Sequence, residues 1–208
     1  MKLFLLALTS LTLSLNVLAE SIDAPKINVG DRWSWQHTNA LVNEKDMTVI
    51  DDVIEVNDSE IKIRERIKGR PGYGVASFTS EWNPQDTGDA KYDPCLRLFK
   101  FPLTIGQKWS DTADKRLLSN SKHGKFSIKG EVIAKEQITT PAGQFNAYKI
   151  KVLLDAVGTD EDANAAHTEE TYWYSPEVKN YVRMEHVFTR EGIVRSKDYR
   201  ELQEFSLR

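Results

Sequence analysis

Cysteine is almost missing from this chain: Cys95 is the only one in 208 residues. No intramolecular disulfide can form, so core packing alone must hold the fold. Cys95 has no histidine near it in sequence, and an idle buried thiol is the expected state, with intermolecular pairing or catalysis as alternatives. Long apolar runs are missing as well. Beyond residue 19 nothing approaches the ~20 apolar residues that a spanning helix needs. Neither charge sign dominates, since 28 Lys and Arg face 31 Asp and Glu, a formal net charge of −3. That balance leaves no electrostatic footprint for nucleic acid or an anionic membrane surface. Sustained helical periodicity is absent too, which removes the helical fold classes.

What is present begins with a leader. Residues 1–19 carry one positive charge at Lys2, an apolar middle broken only by Ser, Thr and Asn, and then Val17, Leu18 and Ala19. That arrangement reads as a secretory signal peptide, with the mature chain expected to start at Glu20. No cysteine follows the leader, so a lipid-modified N-terminus is not expected. The bacterial periplasm is the expected address and full secretion the alternative. Residues 20–208 are expected to form a single all-β domain, of a size ample for one core.

Alternation with period two carries that fold reading. Trp33, Trp35 and His37 share one face of a strand over residues 32–38. Residues 47–56 and 59–68 read as a hairpin around Asn57 and Asp58. With a two-residue loop, Ile54 lies opposite Ile61 on the core face and Asp51 opposite Arg64 outside. Asp52 and Glu65 then fall on the apolar side, where an unpaired charge is costly. Either a strand end reaching solvent or a polar spot in a cavity would explain them. Lys62, Arg64, Arg66 and Lys68 read as one face of a charge ladder against Asp51 and Glu55. Residues 83–94 read as an irregular loop, 96–101 as an apolar strand, and 112–124 as irregular with one helical turn near 113–118. Residues 125–139 alternate most clearly, and further strands follow to residue 207. The expected architecture is a curved, mainly antiparallel sheet or an open barrel.

The segment Val29-Gly30-Asp31-Arg32-Trp33-Ser34 has an echo in Ile105-Gly106-Gln107-Lys108-Trp109-Ser110. Two similar strand lead-ins or an old duplication would both produce it. These segments stand with two others: Pro141-Ala142-Gly143-Gln144-Phe145-Asn146-Ala147-Tyr148-Lys149-Ile150, and Trp173-Tyr174-Ser175-Pro176-Glu177-Val178 running on to Val182-Arg183. In that order they resemble the TapB-like group of exported bacterial β-proteins. The resemblance implies an envelope protein on a curved antiparallel sheet or open barrel. It brings no catalytic residues to transfer.

Asp160, Asp162 and Asn164 match the first ligands of an EF-hand loop, but Ala165 stands where glycine is needed and Thr171 where a bidentate glutamate is needed. A solvated hairpin loop is the plainer reading of residues 158–170. His37, His123, His167 and His186 lack metal-ligand spacing, so no metal or other cofactor is expected. Two S-x-x-K matches, at Ser59 and Ser119, lack the companion motifs of a serine acyl-transfer enzyme.

The aromatic residues Trp33, Trp35, Trp109, Tyr172, Trp173 and Tyr174 remain as ligand-binding candidates, able to line a cleft or simply to build the core. The expected function is a non-enzymatic binding module for an apolar or amphipathic ligand. The alternatives are an envelope protein-interaction factor, accessory or immunity, and a hydrolase with a site outside known motifs.

Overall fold

The structure, a computed structural model, describes residues 20–120, 122–157 and 166–208. Residues 1–19, expected from sequence to be a leader, and residues 158–165 of the acidic stretch lie outside the described residues. β1 (Ser21–Ile22) precedes β2 (Arg32–Asn39), β3 (Glu44–Val56), β4 (Ile61–Ile67), β5 (Gly74–Phe78), β6 (Pro84–Asp86) and β7 (Ala90–Asp93). β8 (Leu103–Thr104) precedes β9 (Lys108–Leu117), β10 (His123–Thr140), β11 (Gly143–Val157), β12 (Ala166–Ser175), β13 (Asn180–Arg190) and β14 (Ile193–Ser206). β14 pairs with β2 and β7 with β9, so twelve strands close into one antiparallel barrel, while β1 pairs with β8. The sheet is therefore closed, beyond the curved or open form expected from sequence, and it keeps no free edge.

No helix among the described residues is long and apolar enough to cross a membrane. Apolar side chains point inward and charge ladders outward, such as Lys62–Glu55 at 3.0 Å and Lys151–Glu169 at 2.8 Å. That is the reverse of the alternation in a lipid-embedded barrel.

The sequence echo is one local device used twice. Gly30 and Gly106 sit at φ of 92° and 84°, where a Cβ would be strained. The Gly30 amide donates to Val53 O at 2.9 Å and the Gly106 amide to Val132 O at 2.8 Å. The same two valines donate back, to Asp31 O and Gln107 O, both at 2.9 Å. Each valine stands just before a bulge, at Ile54 and at Ile133, and the extra residue bends its strand. The tryptophan three residues after each glycine is buried, with Trp33 Nε1 donating to Val178 O and Trp109 Nε1 to Arg97 O. The barrel is thus two six-strand halves, β2–β7 and β9–β14, each with the same lead-in.

The bulge at Ile54 corrects the hairpin register. The connection spans four residues, closed by Asn57 N donating to Glu60 O at 2.9 Å, and Val56 pairs with Ile61. Asp51 consequently lies opposite Glu65, and Asp52 opposite Arg64. Glu65 faces inward as expected, but its companion is Asp51 rather than Asp52. Asp52 lies outside, held by Arg32 and by Arg66. An inserted residue inverts the facing of everything beyond it, and strict alternation cannot register it.

Other segments also differ from expectation. Residues 84–93 hold β6 and β7 instead of an irregular loop, and β9 runs through the region expected to turn helically. Residues 96–101 are a buried loop with no strand pairing. Asn83 replaces the missing partner: its Oδ1 accepts from the Phe99 amide at 2.8 Å and its Nδ2 donates to Phe99 O at 3.0 Å. Buried backbone must be paired somewhere, and a side-chain amide serves as well as a strand.

Trp109 lies flat across Gly130, where an added Cβ would come within 2.0 Å of the ring. Gly130→Ala is expected to cost roughly 1–3 kcal/mol by overpacking. Gly124→Ala, with open space around it, is expected to stay within about 0.5 kcal/mol of the parent. Urea denaturation compares the two, and equal midpoints would refute the close-contact reading.

Candidate functional site

Inward-facing side chains leave two cavities inside the barrel. One, of about 340 Å³, is bordered by β3, β4, β5, β6, β12, β13 and β14 and by the loops carrying Trp82 and Phe99. The other, of about 470 Å³, is bordered by β7, β9, β10, β11, β12, β13 and β14 and by Leu96. So many strands can converge only on the concave side of a closed sheet. The buried loop carrying Leu96, Leu98 and Phe99 reaches both spaces and fills the lumen between them.

The smaller cavity holds the charged groups Asp51, Glu65, Asp89 and Arg200 among aromatic walls. Trp35 Nε1 donates to Asp51 Oδ2 at 2.9 Å, and the Trp35 ring stacks on Tyr181 with centroids 4.3 Å apart. Burial, followed by the neighbouring Glu65 carboxylate, pushes Asp51 up from 3.8 to about 7, against the pull of Arg200. Burial works against the Arg200 charge, but facing Tyr181, Glu65 and Asp51 outweigh it. Asp51 Oδ1 and Arg200 Nε are both shut off from solvent and have no hydrogen-bond partner among the described residues. Buried polar atoms of that kind are uncommon and mark where a polar group would be met.

The larger cavity is mostly apolar. Leu96, Phe126, Leu154, Ala156 and Phe188 supply its walls, with Lys115, Glu170 and His186 as its charged members. The Tyr172 hydroxyl donates to Glu170 Oε2, while His186 Nδ1 lies 3.2 Å from Glu170 Oε1. Tyr172 borders the charged cavity and Glu170 and His186 the apolar one, so this trio forms part of the partition. The bond to Glu170 raises His186 above its ordinary value despite burial. Burial lowers Lys115, whose ammonium lies over the Phe126 and Tyr92 rings at 5.4 and 5.9 Å.

The six aromatic candidates go to different places. Tyr172 is the one that borders a lumen cavity. Trp35 stands behind it, bonded to Asp51, and Trp33, Trp109 and Tyr174 are packed in the core. Trp173 is sandwiched between the Lys149 and Arg183 cations, its Nε1 donating to Glu136. Cys95 is buried and free, and burial raises its thiol. At the edge of the acidic stretch, His167 pairs with Asp155 at 2.6 Å and Glu169 with Lys151 at 2.8 Å.

Sequence reasoning passed over Arg200, Tyr181, Trp82 and Lys115. Lys115 fell in a segment read as irregular, where facing has no meaning. Arg200 shared a parity with Leu202 and was the one legible signal, since a cation in register with a buried leucine faces the interior. His186 lies on β13 with Phe188, and both line the apolar cavity.

Two solved structures share this fold. One is a lipoprotein candidate from Parabacteroides distasonis, with a TM-score of 0.57 and 16% identity over 90% of this chain and 100% of that one. The other is an exported-protein candidate with a YmcC-like fold from Bacteroides fragilis, with a TM-score of 0.55 and 16% identity over 89% of this chain and 99% of that one. At such identity the likeness shows the fold alone. No protein-family model and no curated protein matches the chain.

Asp51 and His186 make stability depend on pH in the same direction. Asp51 is protonated more readily folded than unfolded, so the fold loses stability as pH rises from about 4 to 7. His186, raised by Glu170, contributes stability that is present below pH 6.5 and lost as pH climbs through its folded value. Asp51→Asn is expected to remove a contribution on the order of a few kcal/mol from the pH 4–7 slope of urea stability. An unchanged slope would refute the buried-acid assignment.

Proposed function

We propose that this protein is a non-enzymatic binding module of the cell envelope that holds an apolar or amphipathic ligand inside its barrel. The observation that carries the reading is the apolar cavity of about 470 Å³, walled by seven strands and furnished with a few converging polar groups. Small-molecule sites have this size and composition. Small barrels of up to about eight strands fill their interior with side chains or hold one small ligand, and wider ones leave more room. The leader expected at residues 1–19 and the TapB-like motifs support an exported, periplasmic setting, and of the two fold neighbours one is a lipoprotein candidate and the other an exported-protein candidate. None of the six aromatic candidates lines the apolar cavity; Tyr172 reaches it through its hydrogen bond to Glu170, and Trp35 stands at the charged cavity through Asp51.

A second reading, a protein-interaction factor, has its own observation. The β2–β3 tip exposes Leu41 and Val42, and the β13–β14 end exposes Ile193 and Val194. Antiparallel pairing places both at the same end of the barrel, and Ala40 N donates to Lys197 O across them at 2.7 Å. Exposed apolar clusters of this kind mark contact surfaces.

Mass measurement on protein drawn from its native envelope separates the readings. Extra mass under native conditions that vanishes on denaturation is the expected result. A bare mass would count against the carrier reading and favour the partner surface.

A further inference from the structure

Among the described residues, Lys115 is the cation of the apolar cavity with no anion in ion-pair contact. It sits on β9 opposite Tyr92 of β7 and Gly124 of β10, with its side chain half-buried toward the lumen. No carboxylate of the described residues lies within ion-pair distance; Asp89 acts on it only from farther off. The cavity's own carboxylate, Glu170, is already engaged by the Tyr172 hydroxyl and the His186 ring. With that pair satisfied, Lys115 is the charge in excess. Its aromatic neighbours Phe126 and Tyr92 offset part of the cost of burial but supply no acceptor. Leu96, Leu154 and Phe188 give the same space apolar walls. An unpaired cation among apolar walls describes an occupant with an anionic head and an apolar body.

We infer that the apolar cavity selects a single-chain amphiphile with an anionic head group, the head held by Lys115 and the chain lying against Leu154 and Phe188. This rests on the carrier reading above and narrows it to a ligand class. A carboxylate and a phosphate ester would both satisfy Lys115, and they point to different sources, a free fatty acid or a lipid-derived phosphate.

Isothermal titration of the intact mature protein with laurate, dodecyl phosphate, dodecanol and dodecyltrimethylammonium tests the inference. The two anions are expected to bind about tenfold or more tightly than the alcohol, and the ammonium compound most weakly. The stronger of the two anions then identifies the head chemistry. Lys115→Met is expected to erase the preference for anions while retaining dodecanol binding, and Lys115→Arg to preserve it. Equal binding of laurate, dodecyl phosphate and dodecanol by the parent protein would overturn the head-group assignment and leave the carrier reading standing, and this comparison needs no variant. A preference that survives in Lys115→Met would overturn the role of Lys115. Failure of all four compounds to bind would overturn both.

Discussion

The pairing of β14 with β2 is the contact on which the rest of the molecule depends. It joins the last strand to the first of the barrel, and without it the sheet would keep two long edges and an open concave face. The seam is pinned by Asp31, which is fully buried and accepts from the Asn28 amide, the Arg208 amide and the Lys179 ammonium. Those groups come from the lead-in to β2, the segment after β14 and the turn before β13. One carboxylate therefore ties together three distant parts of the chain. A buried charge is tolerable there because every donor is aimed at it.

Closure creates a second demand, an interior that must be filled. The chain answers with the loop that carries Leu96, Leu98 and Phe99, inserted where β5, β6 and β7 are short. Filling is incomplete, and the two remaining spaces differ in chemistry because of facing alone. On the β3–β4 side the bulge at Ile54 rotates Asp51 inward to meet Glu65, and Arg200 arrives from β14 to balance them. On the β10–β11 side the described lining around Phe126 and Leu154 is mostly apolar, with Lys115 and the Glu170–His186 pair as its charged members.

Much of the architecture was legible before any coordinates. Alternation in residues 125–139 located β10, because one face of that strand is buried and the other wet. The repeated Gly-x-cation-Trp segments were legible as a pattern, while their shared hydrogen bonds to Val53 and Val132 were not. The errors cluster where a local rule was overridden from a distance. Residues 96–101 are apolar enough for a strand, but Asn83 satisfies their backbone and leaves them a loop. The segment around Ala113 is charged enough to look irregular, yet the ladder to β10 holds it extended.

By itself the sequence determined the all-β class, the order of most strands, the reliance on packing in place of disulfides, and the exported reading of residues 1–19. These follow from composition and period-two burial, which act over a few residues at a time. Tertiary structure decided the closure of the barrel, the inward turn of Asp51, and which of the aromatic side chains meets a cavity. Each depends on which residue stands opposite which, and a single bulged residue is enough to exchange the inside and outside of everything beyond it.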